Sequence, residues 1–178
     1  RYRDARPRFD PVEHSGLGFG LVETRNPDNS RVDVYYYQRE GLVGRPSVQK
    51  VFDESGNQIR HSEQTWVLAS NPGSIPGAMA GVDVARLEEQ ESYNVYKVSG
   101  QDGFGPSKKD VYSYDDSYGY NFVSQVISTR ATGVLTTILT PDTEAHDEDE
   151  WIVGLVGEKK ERDAGVSYSR AIYDYQVN

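Results

Sequence analysis

Cysteine is absent from the 178-residue sequence, and methionine occurs once. Without cysteine the chain has no disulfide bonds and no thiolate ligands for zinc, which excludes a small disulfide-stapled scaffold. The redox state of its compartment stays open. No apolar run approaches the roughly 20 residues of a membrane-spanning helix, and the N-terminal RYRDARPRF lacks the apolar stretch of a signal peptide. The sequence predicts a soluble chain without a membrane span.

Basic residues are also scarce relative to acidic ones. The chain has 19 Lys and Arg against 28 Asp and Glu, for a net charge of −9 and a pI near 4.8. Because binding to phosphate groups requires a basic face, nucleic acid is not expected as a partner. A solvated acidic surface is the simpler interpretation.

Apolar residues are too few for a thick helical core. They make up 36% of the chain, and the mean hydropathy is −0.70, so any core is thin, two-layered or shared with sequence outside this chain. Thirteen tyrosines, 17 glycines and 8 prolines are the usage expected of strands and turns. Composition therefore predicts an all-β fold.

Alternating patterns locate the strands. The clearest lie at 30–38, 46–53, 57–69, 92–99, 109–115, 121–130, 133–140, 151–162 and 166–177. Residues 80–93 fit either a short helix or the start of a strand. The glycine motif SGLGFG at 15–20 opens no βαβ unit and therefore predicts a bent strand and not a dinucleotide loop.

Turn chemistry separates these strands. Hairpin tips are predicted at 26–30 (NPDNS), 53–57 (DESGN), 115–121 (DDSYGYN) and 162–165 (RDAG), where Asn, Asp and Gly suit a tight reversal. Hairpins that follow one another in this way form a meander. The stretch 69–81 is either a long hairpin loop or a module boundary.

One short motif occurs twice. GLVG lies at 41–44 and again at 154–157, each time after an aromatic-bearing strand and before a polar alternating segment that reaches a Gly turn. We interpret this as one unit used twice, with 110–130 as a third hairpin. The glycines of the motif are candidate points for a bend or bulge of the sheet: Gly41, Gly44, Gly154 and Gly157.

Several motifs carry a resemblance to a known family. YSYDDSYGYNFVSQV (112–126), KVFDESGNQI (50–59) and IYDY (172–175) resemble the Tyr-Asp (YD) repeats of Rhs proteins. Residues 16–66 are similar throughout to a segment of SpvB/TcB-type toxin-complex proteins, and 149–175 resemble a later hairpin of the same proteins. The motif residues in this sequence are Gly18, Phe19, Gly20, Tyr36, Gly44, Arg45, Pro46, Asp53, Gly56, Asn57, Trp66, Tyr114, Asp115, Gly119, Trp151, Gly157, Tyr173 and Asp174.

The sequence also departs from the family pattern. Asn29 stands where the family usually has Gly, and the second GLVG is followed by Glu158 and Lys159 instead of Arg-Pro. No Asp-protease core, propeller or ADP-ribosylating domain can be recognised. The resemblance therefore implies shell material only.

The resemblance implies consecutive antiparallel hairpins that form a curved, shell-like sheet enclosing a toxic or unfolded polypeptide. Residues 1–70 would form a first hairpin unit, and 71–178 further hairpins, or one continuous module with the first. The implied partners are the remainder of a larger polypeptide and other toxin-complex subunits, and the implied location is secreted or at a bacterial cell surface. Hairpins stacked edge to edge stabilise one another, so the chain alone is expected to self-associate through its edges or to pair with a non-native partner strand.

Catalytic and metal-binding patterns are weak. The acidic run at 142–150 contains His146 but lacks the residue order of a calcium loop, and a solvated loop explains it. His14, His61 and His146 show no metal-ligand spacing, and no Gly-x-Ser-x-Gly elbow is present. We expect no enzymatic activity, no cofactor and no metal site.

The aromatic residues leave a second function open. A platform that stacks on sugar rings, as in a carbohydrate-binding module, would use Tyr35, Tyr37, Trp66, Tyr112, Tyr114 and Tyr118. Packing within a thin wall explains the same residues, because they alternate along strands. An exposed line of Tyr and Trp on one sheet face would favour glycan binding, and burial between hairpins would favour the shell.

Overall fold

The computed structural model describes residues 2–10, 15–39, 41–70, 83–98, 101–115, 122–142, 155–163 and 166–175. Within these ranges the chain forms eleven strands and no helix. The strands are β1 (Tyr2–Asp10), β2 (Ser15–Arg25), β3 (Arg31–Tyr36), β4 (Pro46–Phe52), β5 (Gln58–Ser70), β6 (Asp83–Val98), β7 (Gln101–Asp115), β8 (Phe122–Arg130), β9 (Gly133–Pro141), β10 (Val156–Asp163) and β11 (Val166–Ile172).

The order of the strands in the sheet is the same as their order in the sequence. A single sheet runs from β1 to β11 without a crossover. The ladders that the structure describes are antiparallel, from β1 with β2 to β10 with β11. Among the described strands β1 and β11 end this order, so the sheet is open. The predicted all-β fold of consecutive antiparallel hairpins is confirmed.

The chain divides into two compact units. The first combines Arg1–Leu68 with Leu87–Lys108, and the second combines Ala69–Arg86 with Lys109–Asn178. Strands β5, β6 and β7 therefore contribute residues to both units. The hairpin units proposed from sequence, 1–70 and 71–178, describe motif repetition and stay a prediction.

In the first unit, cross-strand register sorts the side chains into two faces, because successive residues of a strand point to opposite sides. We call one the charged face, after its central row of Glu23, Asp33, Lys50 and His61. The other is the valine face, whose adjacent row is Val22, Val34, Gln49 and Ser62.

The turn at 26–30 joins β2 to β3 as predicted. The amide of Asn26 donates to the carbonyl of Ser30 (3.0 Å), and Asp28 accepts the Ser30 amide (2.9 Å). The hydrogen bond from the Ser30 hydroxyl is the main reason that the pKa of Asp28 lies below its ordinary value. Asn29 has φ = 68°, a left-handed conformation that asparagine tolerates better than most residues.

The turn at 53–57 is also confirmed. The Asp53 amide donates to the carbonyl of Asn57 (2.9 Å), and Gly56 has φ = 83°. The Asp53 carboxylate accepts the amides of Ser55 (3.0 Å) and Asn57 (2.8 Å). A hydrogen bond from the Asn57 side chain is the first cause that lowers the pKa of Asp53.

The core is thin, as the composition predicts. Among the described residues, the buried apolar side chains are Leu42, Val95 and Phe122, and the buried polar ones are Asp33, Ser62, Asp110 and Ser128. In the second unit, the Ser128 hydroxyl donates to Asp110 Oδ1 (2.5 Å). Each buried polar group needs such a partner, because an unpaired one would cost roughly 1–3 kcal/mol.

Some sequence predictions need correction or lie outside the described residues. Strand β1 lies outside every predicted strand, and Asp83–Val98 is a strand, so the helix alternative for 80–93 is wrong where the structure describes it. Most of 69–81, 115–121 and 142–150 lies outside the described residues, as do 151–154 and the tip of 162–165. The same is true of His14, Tyr118, Gly119, His146, Trp151 and Gly154.

Candidate functional site

The connection between β3 and β4, residues 37–45, is compact where it is described. We call it the β3–β4 loop. Two tight reversals shape it: the Leu42 amide donates to the Arg39 carbonyl (3.1 Å), and the Arg45 amide donates to the Leu42 carbonyl (3.0 Å). The Tyr37 amide closes the loop on the carbonyl of Arg45 (2.9 Å).

The two glycines of the first GLVG make this loop possible. Gly41 has φ = 72° and Gly44 has φ = 76°, in the region that is unfavourable for residues with a Cβ atom. Gly41 also lies against β5, since a Cβ there would be 2.6 Å from Leu68 Cδ2. Between the glycines, Leu42 is fully buried at 0% exposure. The loop is therefore packed onto the sheet.

Trp66 on β5 anchors the end of the loop. Its indole Nε1 donates to the carbonyl of Pro46 (3.0 Å) and contacts Gln64 Oε1 (3.3 Å). The Arg45 guanidinium lies over its ring, 5.0 Å from the centroid. The motif residues Gly44, Arg45, Pro46 and Trp66 are thus brought together, with separate roles in turn formation, stacking and hydrogen bonding.

Tyr37 and Arg39 tie the start of the loop to the same strand. The Tyr37 hydroxyl donates to the carbonyl of Gln64 (3.2 Å). Arg39 lies over the Tyr37 ring at 5.3 Å and donates to the carbonyl of Trp66 (3.4 Å). Sequence reasoning missed Arg39 and Gln64, although alternation along β5 places Gln64, Trp66 and Leu68 on one face.

A cleft of about 420 Å³ opens beside this loop. It is lined by Gly20 and Leu21 of β2, by residues 35–38 and by Ser47. The β2–β3 ladder extends only as far as the pair of Leu21 with Tyr35, and the β3–β4 register shifts between Tyr35 and Tyr36. The cleft therefore lies where β3 leaves regular pairing with both neighbours.

The charged face is occupied by internal ion pairs. Arg31 Nε lies 3.0 Å from Asp33 Oδ1, and Arg25 lies 2.7 Å from Glu23. Burial raises the pKa of Asp33 and outweighs the opposite effect of Arg31, while the neighbouring Glu23 raises it further. The folded structure therefore destabilises the charged form of the Asp33 carboxylate.

His61 belongs to an aromatic cluster at the other end of the charged row. Its ring stacks on Tyr93 (4.9 Å, 5°), and Tyr93 meets Phe104 edge-on (4.9 Å, 81°). Its Nε2 lies 2.8 Å from Glu63 Oε1. Burial is the main cause that raises the pKa of Tyr93. The described ranges contain no group of three His, Asp or Glu side chains able to hold a metal, and no helix long and apolar enough to cross a membrane.

The described candidates for the aromatic platform are not exposed. Five of the six candidates are described, and all five are half-buried: Tyr35, Tyr37, Trp66, Tyr112 and Tyr114. Cationic groups lie over four of the rings, including Lys50 over Tyr35 (5.5 Å) and Arg86 over Tyr114 (5.0 Å). Burial raises the pKa of Tyr112. Half-buried rings covered by cationic groups are what packing within a thin wall predicts.

The remaining motif residues are distributed along the chain. Gly18, Phe19 and Gly20 lie in β2, Tyr36 ends β3, and Asp53, Gly56 and Asn57 form a turn. Tyr114 and Asp115 end β7, Gly157 lies in β10, and Tyr173 and Asp174 follow β11. The Tyr173 amide donates to the Gly157 carbonyl (2.9 Å), which joins two of them.

No family model and no curated protein matches this sequence. Solved structures do: crystal structures of TcdB2-TccC3 and of TcdB2-TccC3-Cdc42 each match with a TM-score of 0.64 at 9% identity. A structure of TcdB2-TccC3 without its hypervariable C-terminal region matches with a TM-score of 0.63 at 9% identity. Each match covers 90% of this chain and 12% of the other. The chain therefore has the fold of a part of the toxin-complex protein TcdB2-TccC3.

Proposed function

We propose that this chain is a structural segment of the β-shell of a bacterial Rhs- or toxin-complex-type protein, which encloses or presents a toxin polypeptide. The observation that carries the proposal is the sheet itself. Its strands follow one another in chain order, and 90% of the chain superposes on a part of TcdB2-TccC3 with a TM-score of 0.64. Its partners would be the rest of a longer polypeptide and other toxin-complex subunits, and it would act secreted or at the cell surface.

The chemistry of the described residues supports a wall and not an active site. Ionisable side chains contact one another across strands or along them, as Arg31 and Asp33 do, and the half-buried rings are covered by Arg or Lys. Such contacts give a sheet stabilising interactions on both faces without a thick core. The absence of catalysis is part of this proposal.

The first test is the size of the native gene product. We expect an antibody raised against this chain to detect, on a denaturing gel, a product several-fold larger than 20.0 kDa. A native product of about 20.0 kDa would overturn the shell function, because a few hairpins cannot enclose another polypeptide.

Limited proteolysis of the native product tests enclosure directly. We expect one part of the parent polypeptide to resist protease while the shell is folded and to be degraded once denaturant opens it. The same protein predenatured before digestion serves as the control. Equal cleavage of all parts in the folded protein would contradict enclosure.

The edges of the isolated chain give a further test. At the end of the terminal strand β11, Ile172 is 68% exposed and the following Tyr173 is 42% exposed. A strand edge bordered by apolar groups readily pairs with another chain. We expect light scattering to show association that grows with concentration, and a strict monomer at all concentrations would contradict this.

A further inference from the structure

A row of three rings on the charged face ends in an exposed phenylalanine. The His61 ring stacks on Tyr93 with centroids 4.9 Å apart, and Tyr93 meets the ring of Phe104 edge-on at the same distance. His61 is fixed in turn, because its Nε2 lies 2.8 Å from Glu63 Oε1 and its Nδ1 lies 3.3 Å from Gln58 Nε2. Phe104 is nevertheless 61% exposed. A large apolar ring therefore stays in contact with solvent although its neighbours are ordered.

Two further apolar side chains extend this surface along the strands. The hydrogen bond from Gln64 to Gln90 (3.2 Å) and the stacked imidazole and phenol rings follow one antiparallel register between β5 and β6. Continuing this register by two residues places Ile59 opposite Val95, on the same side of the sheet as the rings. Ile59 is 45% exposed, whereas Val95 is 6% exposed. We call these four residues the apolar patch: Ile59, Tyr93, Val95 and Phe104.

The strand that carries Phe104 is supported from its other face. Gly103 and Gly105 flank Phe104 in β7, and a Cβ at Gly103 would lie 2.8 Å from Tyr96 Cε2. A Cβ at Gly105 would lie 3.8 Å from Tyr96 Cε1. The Tyr96 ring therefore covers the backbone on both sides of Phe104. Groups that are already ordered lose little conformational entropy when a partner binds, which suits an anchor residue.

Carboxylates border one end of the apolar patch. Glu63 and Glu91 each follow the stacked rings by two residues, on β5 and β6, and so lie on the same side of the sheet. Burial raises the pKa of Tyr93, and the negative charges of Glu63 and Glu91 raise it further. The Glu63 side chain is 60% exposed, and its described partner is His61, which is charged only when protonated.

The lysines near the apolar patch leave this end negative. Lys50 forms its described contact with the ring of Tyr35, 5.5 Å from the centroid. Lys97 lies beyond the opposite end of the patch in β6. Lys108 lies opposite Glu89 in the register that the edge-on rings set between β6 and β7, and both take part in interactions. Three carboxylates therefore stand against one lysine at this end: Glu63, Glu89 and Glu91 against Lys108.

We propose that the apolar patch docks an extended polypeptide segment that carries an apolar side chain and, about four residues away, a lysine or arginine. The apolar side chain would pack against Phe104 and Ile59. The cation would reach Glu63, which lies four residues from Ile59, or roughly 13 Å at about 3.3 Å per residue. An exposed ring held by ordered neighbours supplies the contact energy, and the opposite charges orient the segment.

Other classes of partner fit this surface less well. Nucleic acid and anionic lipid headgroups would meet the carboxylates of a chain whose net charge is −9. An acidic peptide would meet the same repulsion. The proposal does not rest on the shell function, because the apolar patch and its carboxylates belong to the first compact unit alone.

The test is fluorescence anisotropy of a labelled peptide titrated with the 178-residue chain. The probe has the order Gly-Ser-Phe-Ser-Ser-Ser-Lys-Arg-Gly-Ser. One comparison peptide replaces Lys-Arg by Glu-Glu, and another replaces Phe by Ser. We expect saturable binding of the probe and binding about tenfold weaker for each comparison peptide. Raising the salt from about 50 to about 500 mM should weaken binding of the probe, because salt screens its charges.

Two variants connect binding to the apolar patch. Phe104→Ser removes the exposed ring and should weaken binding about tenfold. Glu63→Gln removes one charge but keeps an acceptor for His61, and should weaken binding about threefold. Ile172→Ser is the matched control for the ring, since Ile172 is 68% exposed in the second unit. Glu54→Gln, in the exposed turn at 53–57, is the matched control for the charge. Both controls should bind as the parent does.

The proposal is overturned by any of four results. These are no saturable binding of the probe, equal binding of the Glu-Glu peptide, unchanged binding in both Phe104→Ser and Glu63→Gln, and an equal loss in Ile172→Ser. Circular dichroism compares the fold of each variant with that of the parent. If Phe104→Ser does not fold, Glu63→Gln decides, because it changes one exposed group and keeps its hydrogen-bonding capacity.

Discussion

The two GLVG segments have the same four residues and different structures. In the first, Gly41 and Gly44 adopt positive φ and Leu42 is fully buried. In the second, Val156 and Gly157 are extended residues of β10, and Leu155 is half-buried. The Leu155 carbonyl accepts the amide of Asp142 (2.8 Å). The interpretation of one unit used twice therefore does not extend to the backbone of the described residues.

The residues that follow the motif account for the difference. After the first copy, Arg45 and Pro46 engage Trp66 of β5, and this contact fixes the end of the loop. After the second copy, Glu158 and Lys159 continue the strand and pair with β9 and β11. A four-residue motif is too short to determine its own conformation, so its tertiary partners decide it.

Truncating the leucine of each copy should give the largest contrast. Leu42→Ala removes a side chain with 0% exposure and leaves a cavity, for an expected loss of about 3 kcal/mol in the free energy of unfolding. Leu155→Ala, at a half-buried position, should cost about 1 kcal/mol. Urea denaturation of both variants measures the difference. Equal losses would show that the first loop is not packed as described.

Substitution of individual glycines by alanine should rank them by the loss in the free energy of unfolding. Gly41→Ala combines a positive φ with a Cβ 2.6 Å from Leu68 Cδ2 and should cost about 2 kcal/mol or more. Gly44→Ala has the same type of φ but open space around the Cβ, so it should cost about 1 kcal/mol. Gly105→Ala is the control, since Gly105 has no positive φ and a Cβ there would come no closer than 3.4 Å to the Asn94 carbonyl oxygen. A reversed order of Gly41 and Gly44 would refute the contact with Leu68.

Trp66→Phe isolates the hydrogen bond that holds the loop. The change keeps an aromatic ring beneath Arg45 but removes the donor to the Pro46 carbonyl (3.0 Å). We expect a loss of about 1 kcal/mol in thermal or urea denaturation. No loss would mean that stacking alone anchors the loop. Trp151 lies outside the described residues, so the matched change Trp151→Phe carries no such expectation.

Asp33→Asn should stabilise the protein at neutral pH, because burial disfavours the charged form of this carboxyl in the folded state. The pKa of Asp33 is raised in the folded state, chiefly by burial. Its contribution to stability is therefore fully present below the pKa of the unfolded chain and is lost as the pH rises through the folded pKa. The advantage of the Asp33→Asn variant should thus appear at pH 7 and vanish at acidic pH. Denaturation curves at both pH values measure it, and a loss of stability at pH 7 would show that the pairing with Arg31 outweighs burial.

Glu158→Gln should have the smallest effect, because the partners of Glu158, Lys160 and Arg170, are 35% and 62% exposed and solvent screens such pairs. Hydrogen bonds from Lys160 and Arg170 lower the pKa of Glu158. That stabilisation is present above the pKa of an ordinary glutamate and is lost as the pH falls through the folded value. We expect Glu158→Gln to melt slightly earlier at pH 7 and like the parent at strongly acidic pH. Glu54→Gln, in the exposed turn at 53–57, is the control.

Much of the fold could be predicted because the strands alternate. The predicted strand at 46–53 corresponds to Pro46–Phe52, and that at 133–140 to Gly133–Pro141. Strand β1 was not predicted because its residues, YRDARPRFD, have little strand propensity. It is stabilised as a strand by its pairing with β2. The first part of Asp83–Val98 is ambiguous for a similar reason, since its Glu- and Gln-rich stretch also suits a helix, whereas residues 92–99 were predicted as a strand.

The candidate site was less accessible from sequence. Gly44, Arg45, Pro46 and Trp66 could be selected as motif residues, and the structure brings them together. The cleft could not be predicted, because it depends on where the β2–β3 ladder stops and on a register shift in the β3–β4 ladder. Neither the end of the β2–β3 ladder nor the register shift can be inferred from the residue types of Gly20 or Gln38.

The order of the strands also bears on how the chain acquires its structure. Each strand pairs with the strands that precede and follow it in the chain, so every ladder joins two strands that are consecutive in the sequence. Most β-proteins fold slowly because their strands must find remote partners, and this arrangement avoids that search. Each hairpin can form as soon as it leaves the ribosome and can then serve as the template for the next, so that synthesis and folding advance together from one end.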